Sequence, residues 1–293
     1  MIASARSPVK CRLIGDADCE AVADRLAREF PARSRDYWLA ALHRMGRRPP
    51  LAEYPRYGHL LESEGQVVGV LLQIYFRRGE GEQSAVYCNL SSWCMDARFR
   101  GYAPMLNSAA TKRKEVTYLN ISPAPHTRAG IEALGFRRYC DGQLVCFPAL
   151  SFSHRRGVKV MAFKSEGPEA MGLSSYERDI LVGHEALGCR SVIVTADGAS
   201  HPFVFMRRRI VRRLIPCEQV IYCRSLDDFV AYAGPLGRYL LARGGLISVV
   251  DANGPLRGVV GLYLPDNGPK YFKGPARPTP GDLSFTELPV LGP

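Results

Sequence analysis

The chain lacks any apolar run approaching the roughly 20 residues that a membrane-spanning helix needs. Its first residues also lack the apolar core of a secretory signal. Both absences lead to the expectation of a cytoplasmic protein without membrane insertion. There is no Cys-x-x-Cys pair among the nine cysteines. Their number is odd, and several lie inside apolar runs. Reduced, buried thiols acting as small hydrophobes are expected, rather than disulfides. No histidine or acid is marked out by spacing as a partner for a cysteine, which argues against thiol catalysis, and no metal site is expected. A recognisable nucleic-acid module is missing too, as is any basic–aromatic stacking pattern, so nucleic acid is disfavoured as a partner.

What is present is the composition of an ordinary globular protein. Of 293 residues, 46% are apolar and 23% are charged. That length is large for one compact core and predicts two domains, 1–150 and 151–293. The net charge of +11 is spread over both halves. A basic surface attracts polyanions, among them phosphorylated cofactors. The one dense run, Arg207, Arg208 and Arg209 with Arg212 and Arg213, reads as a solvated strand or hairpin face.

Hydrophobic spacing orders the first half. A short strand spans 10–15. A helix capped by Asp16 or Asp18 runs to Phe30, and a second covers 34–45 before Gly46, Pro49 and Pro50 stop it. Strands at 57–63 and 66–77 form a hairpin about Glu64 and Gly65. A third strand covers 84–95, a helix 104–113, a strand 116–121 and a helix 126–134. A closing hairpin, 136–139 with 144–147, is expected around Asp141 and Gly142. Residues 148–170 read as a linker with one strand near 158–163. The second half repeats this outline coarsely: a helix at 175–187, strands at 191–195, 203–209 and 219–223, a helix at 226–242, and strands at 246–251 and 259–264 joined by a turn at Asn253 and Gly254. From Pro265 the tail is expected to wrap the surface as an extended segment.

The strand-to-helix junction at 96–105 reads DARFRGYAPM. A helix start presents unpaired N–H groups and the positive end of its dipole, which together attract anions. Gly101 and Ala103 would let phosphate oxygens approach the backbone, and Arg100 adds fixed positive charge.

The order of elements, with the Phe99-Arg100-Gly101 junction and Leu134-Gly135-Phe136 further on, resembles the GCN5-related N-acetyltransferase superfamily over residues 10–150. The resemblance implies an α/β (α+β) fold: a mixed central sheet flanked by helices, with two similar domains in tandem, the second degenerate. It implies acetyl-CoA or another acyl-CoA as co-substrate, with no metal. The family's phosphate loop, Q/R-x-x-G-x-G/A, is met literally by Arg98, Gly101 and Ala103. A register on the aromatic-Arg-Gly element instead puts it on Arg100, Ala103 and Met105. Either places the pyrophosphate on the amides of residues 100–105, Tyr102 included. The backbone near Trp93, Cys94 and Met95 would meet the pantetheine arm in a gap between the strands at 87–95 and 116–122.

Family members transfer the acyl group by direct attack of an amine, often with a tyrosine protonating the departing thiolate. The matching position here is Ile131, which cannot donate a proton. Replacement donors are Asn120, Ser122 and His126. Asn89, Ser91 and Ser92 could hydrogen-bond acceptor or thioester, and Glu53 and Tyr54 could shape an acceptor pocket. In the second half, Arg224 is followed by Ser225, Leu226, Asp227 and Asp228, whose acids would repel pyrophosphate. The expected function is acyl transfer to a small-molecule or peptide acceptor that the sequence does not specify, with a homodimer left open. The alternative is an inactive acyl-CoA-binding or regulatory protein of the same fold.

Overall fold

The computed structural model describes residues 8–51, 53–151, 157–210 and 214–292. Contacts divide the chain into two compact units: 1–77 with 85–120, and 78–84 with 121–293.

Unit 1 opens with strand β1 (Lys10–Leu13), helix α1 (Cys19–Glu29) and helix α2 (Arg35–Arg47). The Ser34 hydroxyl caps α2 by accepting the Tyr37 N–H at 3.2 Å, satisfying one of the orphan donors of a helix start. Val22, Ala23 and Leu26 of α1 and Trp38, Ala41, Leu42 and Met45 of α2 are buried, which is the helical period of the apolar residues realised as packing. Strands β2 (Gly58–Ser63) and β3 (Gln66–Arg78) form an antiparallel hairpin. Its turn residues Glu64 and Gly65 both have positive φ, 52° and 73°, the backbone that matches strand twist in a two-residue turn. Strand β4 (Ala85–Met95), helix α3 (Ala103–Ala110) and strand β5 (Thr117–Asn120) follow. The strand order is β1-β2-β3-β4-β5. β4 and β5 are parallel, as a helical crossover permits. Leu60, Leu61, Val70, Leu72, Ile74 and Leu119 are buried in this sheet.

Unit 2 holds helix α4 (Arg128–Ala133), strand β6 (Arg137–Cys146), strand β7 (Lys159–Ala162) and helix α5 (Ser175–Ala186). Strands β8 (Arg190–Ala196), β9 (Ala199–Ile210) and β10 (Ile215–Cys223) come next, then helix α6 (Leu226–Leu241). Strands β11 (Ser248–Ala252) and β12 (Gly261–Lys273) and helix α7 (Glu287–Leu291) complete it. The order is β12-β6-β11-β10-β9-β8-β7. β7 to β10 are antiparallel neighbours, and β11 runs parallel to β10 after α6. Phe203, Phe205, Phe229, Tyr232, Leu236 and Val250 lie in its core.

Three expectations are corrected. Asp141 and Gly142 do not turn the chain, because β6 is one continuous strand. Gly142 serves close strand approach: a Cβ there would collide with the Leu264 carbonyl and lie 2.9 Å from the Tyr263 hydroxyl. Asn253 and Gly254 do not join a hairpin, since β6 lies between β11 and β12. The tail is no surface wrap: β12 continues through Lys273, and Leu283, Ser284, Thr286, Val290 and Leu291 are buried. In the arginine run, Arg207 and Arg209 are exposed on β9, while Arg208 donates to Gln219 Oε1 at 3.2 Å. Arg212 and Arg213 lie outside the described residues. No helix among the described residues is long and apolar enough to cross a membrane.

Candidate active site

The candidate site in unit 1 lies at the fork where β4 runs on beyond its pairing with β5. The parallel ladder pairs Tyr87 with Thr117, Cys88 with Tyr118 and Asn89 with Leu119, and goes no further, whereas β4 runs on to Met95. The buried Asn89 side chain ties the fork, donating to the carbonyls of Leu90 (2.9 Å) and Leu119 (3.5 Å). Past the fork, Ser92 has φ 54°. A non-glycine residue in that conformation costs on the order of 1–3 kcal/mol and is held only by its surroundings. It redirects the peptide groups of β4 beside the open end. The hydroxyls of Ser91 and Ser92 are 3.0 Å apart.

Strand alternation separates the residues expected near the pantetheine arm. Cys94 is buried, while Trp93 and Met95 are half-buried. Burial pushes the Cys94 thiol up to about 12, which keeps it protonated. Backbone groups of these residues, rather than the thiol, are what β4 can offer a ligand.

At the end of β4 the Asp96 N–H donates to the Val68 carbonyl at 2.8 Å. The buried Arg25 of α1 reaches Asp96 Oδ1 at 3.4 Å and Glu29 Oε2 at 2.9 Å, fixing the start of the turn. A 3₁₀ helix over Ala97–Tyr102 leads into α3. Phe99 N–H donates to Asp96 O and Ala103 N–H to Arg100 O. Pro104 carries no N–H. The amide donors expected across 100–105 are therefore reduced: Ala103 is committed internally. Arg98, Arg100 and Gly101 are exposed, Tyr102 and Ala103 half-buried, and Met105 exposed. A Cβ built on Gly101 meets nothing within 4 Å. The turn thus carries two exposed arginines and an open glycine, chemistry suited to a phosphate diester, with the Arg98 guanidinium 6.0 Å from the Phe99 ring centre. These residues fit a pyrophosphate through side-chain charge more than through a row of amides.

The three predicted donors are distributed over both units. Asn120 ends β5, half-buried. Ser122 and His126 belong to unit 2. The Ser122 hydroxyl donates to the Glu287 carboxylate, and His126 is exposed in the 3₁₀ turn Pro125–Thr127. Ile131 is buried. Glu53, at φ 70°, accepts from Arg113 Nη2 through its carbonyl at 2.5 Å. The Tyr54 ring lies 4.8 Å from Tyr75 and under the Arg113 guanidinium at 4.7 Å. Arg48, Tyr54, Arg56 and Tyr75 line a cavity of about 30 Å³, more than the roughly 10–15 Å³ that one water needs. Burial lowers Arg48 to about 10 there.

A buried polar network lies beneath the sheet residues of β2 and β3. His59 Nδ1 is 2.6 Å from Gln73 Oε1, an acceptor only, so the imidazole carries its proton on Nδ1. Gln73 Nε2 donates to the Tyr75 hydroxyl (2.8 Å) and to the Ala110 carbonyl (2.9 Å). The Tyr118 hydroxyl accepts the Arg113 N–H at 3.1 Å. The network joins β2 and β3 to the end of α3, and burial lowers the His59 pKa and raises that of Tyr118 to about 12. A lone glutamine inside the apolar run of β3 was the one available signal.

In unit 2, Arg224 is engaged by Glu177 at 2.7 and 3.0 Å and by the Ser200 carbonyl at 3.2 Å. Among the described residues no group of three or more His, Cys, Asp or Glu side chains is placed to hold a metal ion.

In each unit a parallel pair of strands, β4–β5 and β10–β11, is reached through a helix, which gives an α/β architecture. No protein-family model and no curated protein sequence matches the chain. Solved structures do. A GCN5-related N-acetyltransferase from Anabaena variabilis is similar at TM-score 0.57 and 9% identity, over 90% of this chain and 72% of its own. One from Kribbella flavida gives 0.56 and 14%, over 91% and 71%. One from Sphaerobacter thermophilus gives 0.51 and 16%, over 92% and 96%. The chain has the fold of the GCN5-related N-acetyltransferases.

Proposed function

We propose that this protein is an acyl-CoA-dependent acyltransferase, acting on an amine of a small molecule or peptide. The observation that carries the reading is the β4–β5 fork ending at Asn89 and Leu119, with the open Arg98–Arg100–Gly101 turn at the end of the same strand. In this reading Arg98 and Arg100 hold the pyrophosphate beside Gly101 and Tyr102, with Ala103 and Met105 at its edge. The backbone of β4 around Trp93, Cys94 and Met95 pairs with the amides of the pantetheine arm. Bound acyl-CoA supplies an activated thioester. The acceptor nitrogen forms the new bond to the acyl carbon as the carbon–sulfur bond breaks; the nitrogen gives its proton to water, and the departing thiolate takes one from water. Asn120 is the first choice to steady that thiolate by donating a hydrogen bond. No covalent intermediate is needed, in keeping with a protonated Cys94.

The second reading, a binding or regulatory protein without turnover, is favoured by one observation: the buried Ile131 stands where the family often has its proton donor. Thermal melting with coenzyme A and acetyl-CoA tests the shared part. Stabilisation of about 2.7 kcal/mol is expected at a hundredfold excess over Kd, and no shift at millimolar ligand would reject both readings. Thiol release from acetyl-CoA across a panel of amines separates them.

A further inference from the structure

Unit 2 contains its own fork, and the chain fills it. β10 and β11 run parallel but pair only at Glu218↔Ser248 and Gln219↔Val249. β9 stays on the opposite edge of β10 as far as Cys223↔Phe203. Past Gln219 the β11-facing edge of β10 needs other partners, because buried backbone groups are seldom left unpaired. Residues 281–283 supply them. Cys223 N–H donates to the Gly281 carbonyl at 3.0 Å, and Leu283 N–H donates to the Ile221 carbonyl at 2.7 Å. Tyr222 and Asp282 sit opposite one another between these bonds, as in an antiparallel ladder.

The inserted segment is fastened on every side. The buried Arg78 donates to the Asp282 carbonyl at 2.9 Å and lies 3.1 Å from its carboxylate. Asp282 Oδ1 accepts from the Ser284 N–H and hydroxyl. The fully buried His184 donates through Nδ1 to the Ile180 carbonyl at 2.7 Å and accepts the Phe285 N–H on Nε2 at 3.0 Å. Gly281 has φ 94°, and a Cβ on it would lie 2.8 Å from Cys223 Sγ. Shape and charge both oppose an alternative occupant: Arg224 is held by Glu177, and Asp227 and Asp228 stand in the first turn of α6.

We propose that residues 281–283 are a built-in strand ligand that shuts the second fork, so that one chain takes one coenzyme A, in unit 1 alone. The stoichiometry rests on the function proposed above; the occupancy of the second fork does not. Two measurements on the full chain keep these apart. Native mass spectrometry with coenzyme A is expected to give one molecule per chain, and two would overturn the proposal. Hydrogen exchange is expected to show the Cys223 and Leu283 amides protected together, about 100-fold slower than in Gly281→Val. In that variant the β9–β10 amides should stay protected. Fast exchange at Cys223 and Leu283 in the unaltered chain, or equal protection in the variant, would overturn it. Should no coenzyme A bind, the transferase reading falls, and protected Cys223 and Leu283 amides would still establish the strand ligand.

Discussion

Gly101→Ala separates stability from binding at the proposed phosphate turn. Its φ is not in the left-handed region, and an added Cβ meets no atom within 4 Å. Replacing such a glycine reduces the freedom of the unfolded chain and stabilises by about 0.4–1 kcal/mol. For units of this size that is roughly 1–4 °C in Tm. If phosphate oxygens approach the backbone here, the same methyl occupies their space. Overpacking of one methyl costs about 1–3 kcal/mol, or about 5- to 150-fold in Kd. Melting without ligand and calorimetric titration with coenzyme A read the two effects. The expected variant melts no lower than the unaltered protein and binds more weakly. Gly254→Ala, equally open and in unit 2, is the control and should leave binding unchanged. Unaltered affinity in Gly101→Ala would refute the placement of the pyrophosphate at this turn.

Lys270→Met should destabilise unit 2 by about 3–5 kcal/mol in denaturant unfolding. It leaves the buried Asp251, which Lys270 meets at 2.9 Å, without its counter-charge. Lys270→Met with Asp251→Leu should recover most of the loss; no recovery would mean that packing, not charge, explains it. Cys94→Ala should keep acyl transfer within a few-fold of the unaltered rate in a thiol-release assay, because the thiol is buried and protonated; complete loss with retained fold would point to covalent chemistry. His59 is held neutral in the folded state, its pKa lowered from 6.5 by burial. As pH falls through 6.5 the unfolded chain binds a proton that the folded chain refuses, so stability drops toward acid. Unfolding at pH 7.5 and 5.5 should show a smaller drop for His59→Gln, and an identical drop would assign the acid sensitivity to other groups.

The local half of the structure was legible because its causes are local. The apolar spacing of α1 and α2, the Ser34 cap and the Glu64–Gly65 turn each depend on neighbours within a few residues. The junction at 96–105 was legible for the same reason, as a strand followed by small residues and a helix. Its amide donors are fewer than the local pattern implies, because a 3₁₀ turn consumes the Ala103 N–H. The roles of Gln73 and His59 are not legible in sequence, because a buried polar pair is defined by its partner, fourteen residues apart here.

Local pattern carries most of the element types and the resemblance to an acetyltransferase fold, but not the continuous β6 or the helix and buried strand of the tail. Tertiary structure alone decided which strands meet. Gly142 has the composition of a turn and the role of a strand contact, because its neighbour is Leu264. Residues 281–283 look like loose tail and behave as a strand, because β10 and β11 diverge and leave an edge to be paired. A backbone hydrogen bond carries no side-chain signature, so a chain cannot announce in its sequence which distant edge it will complete.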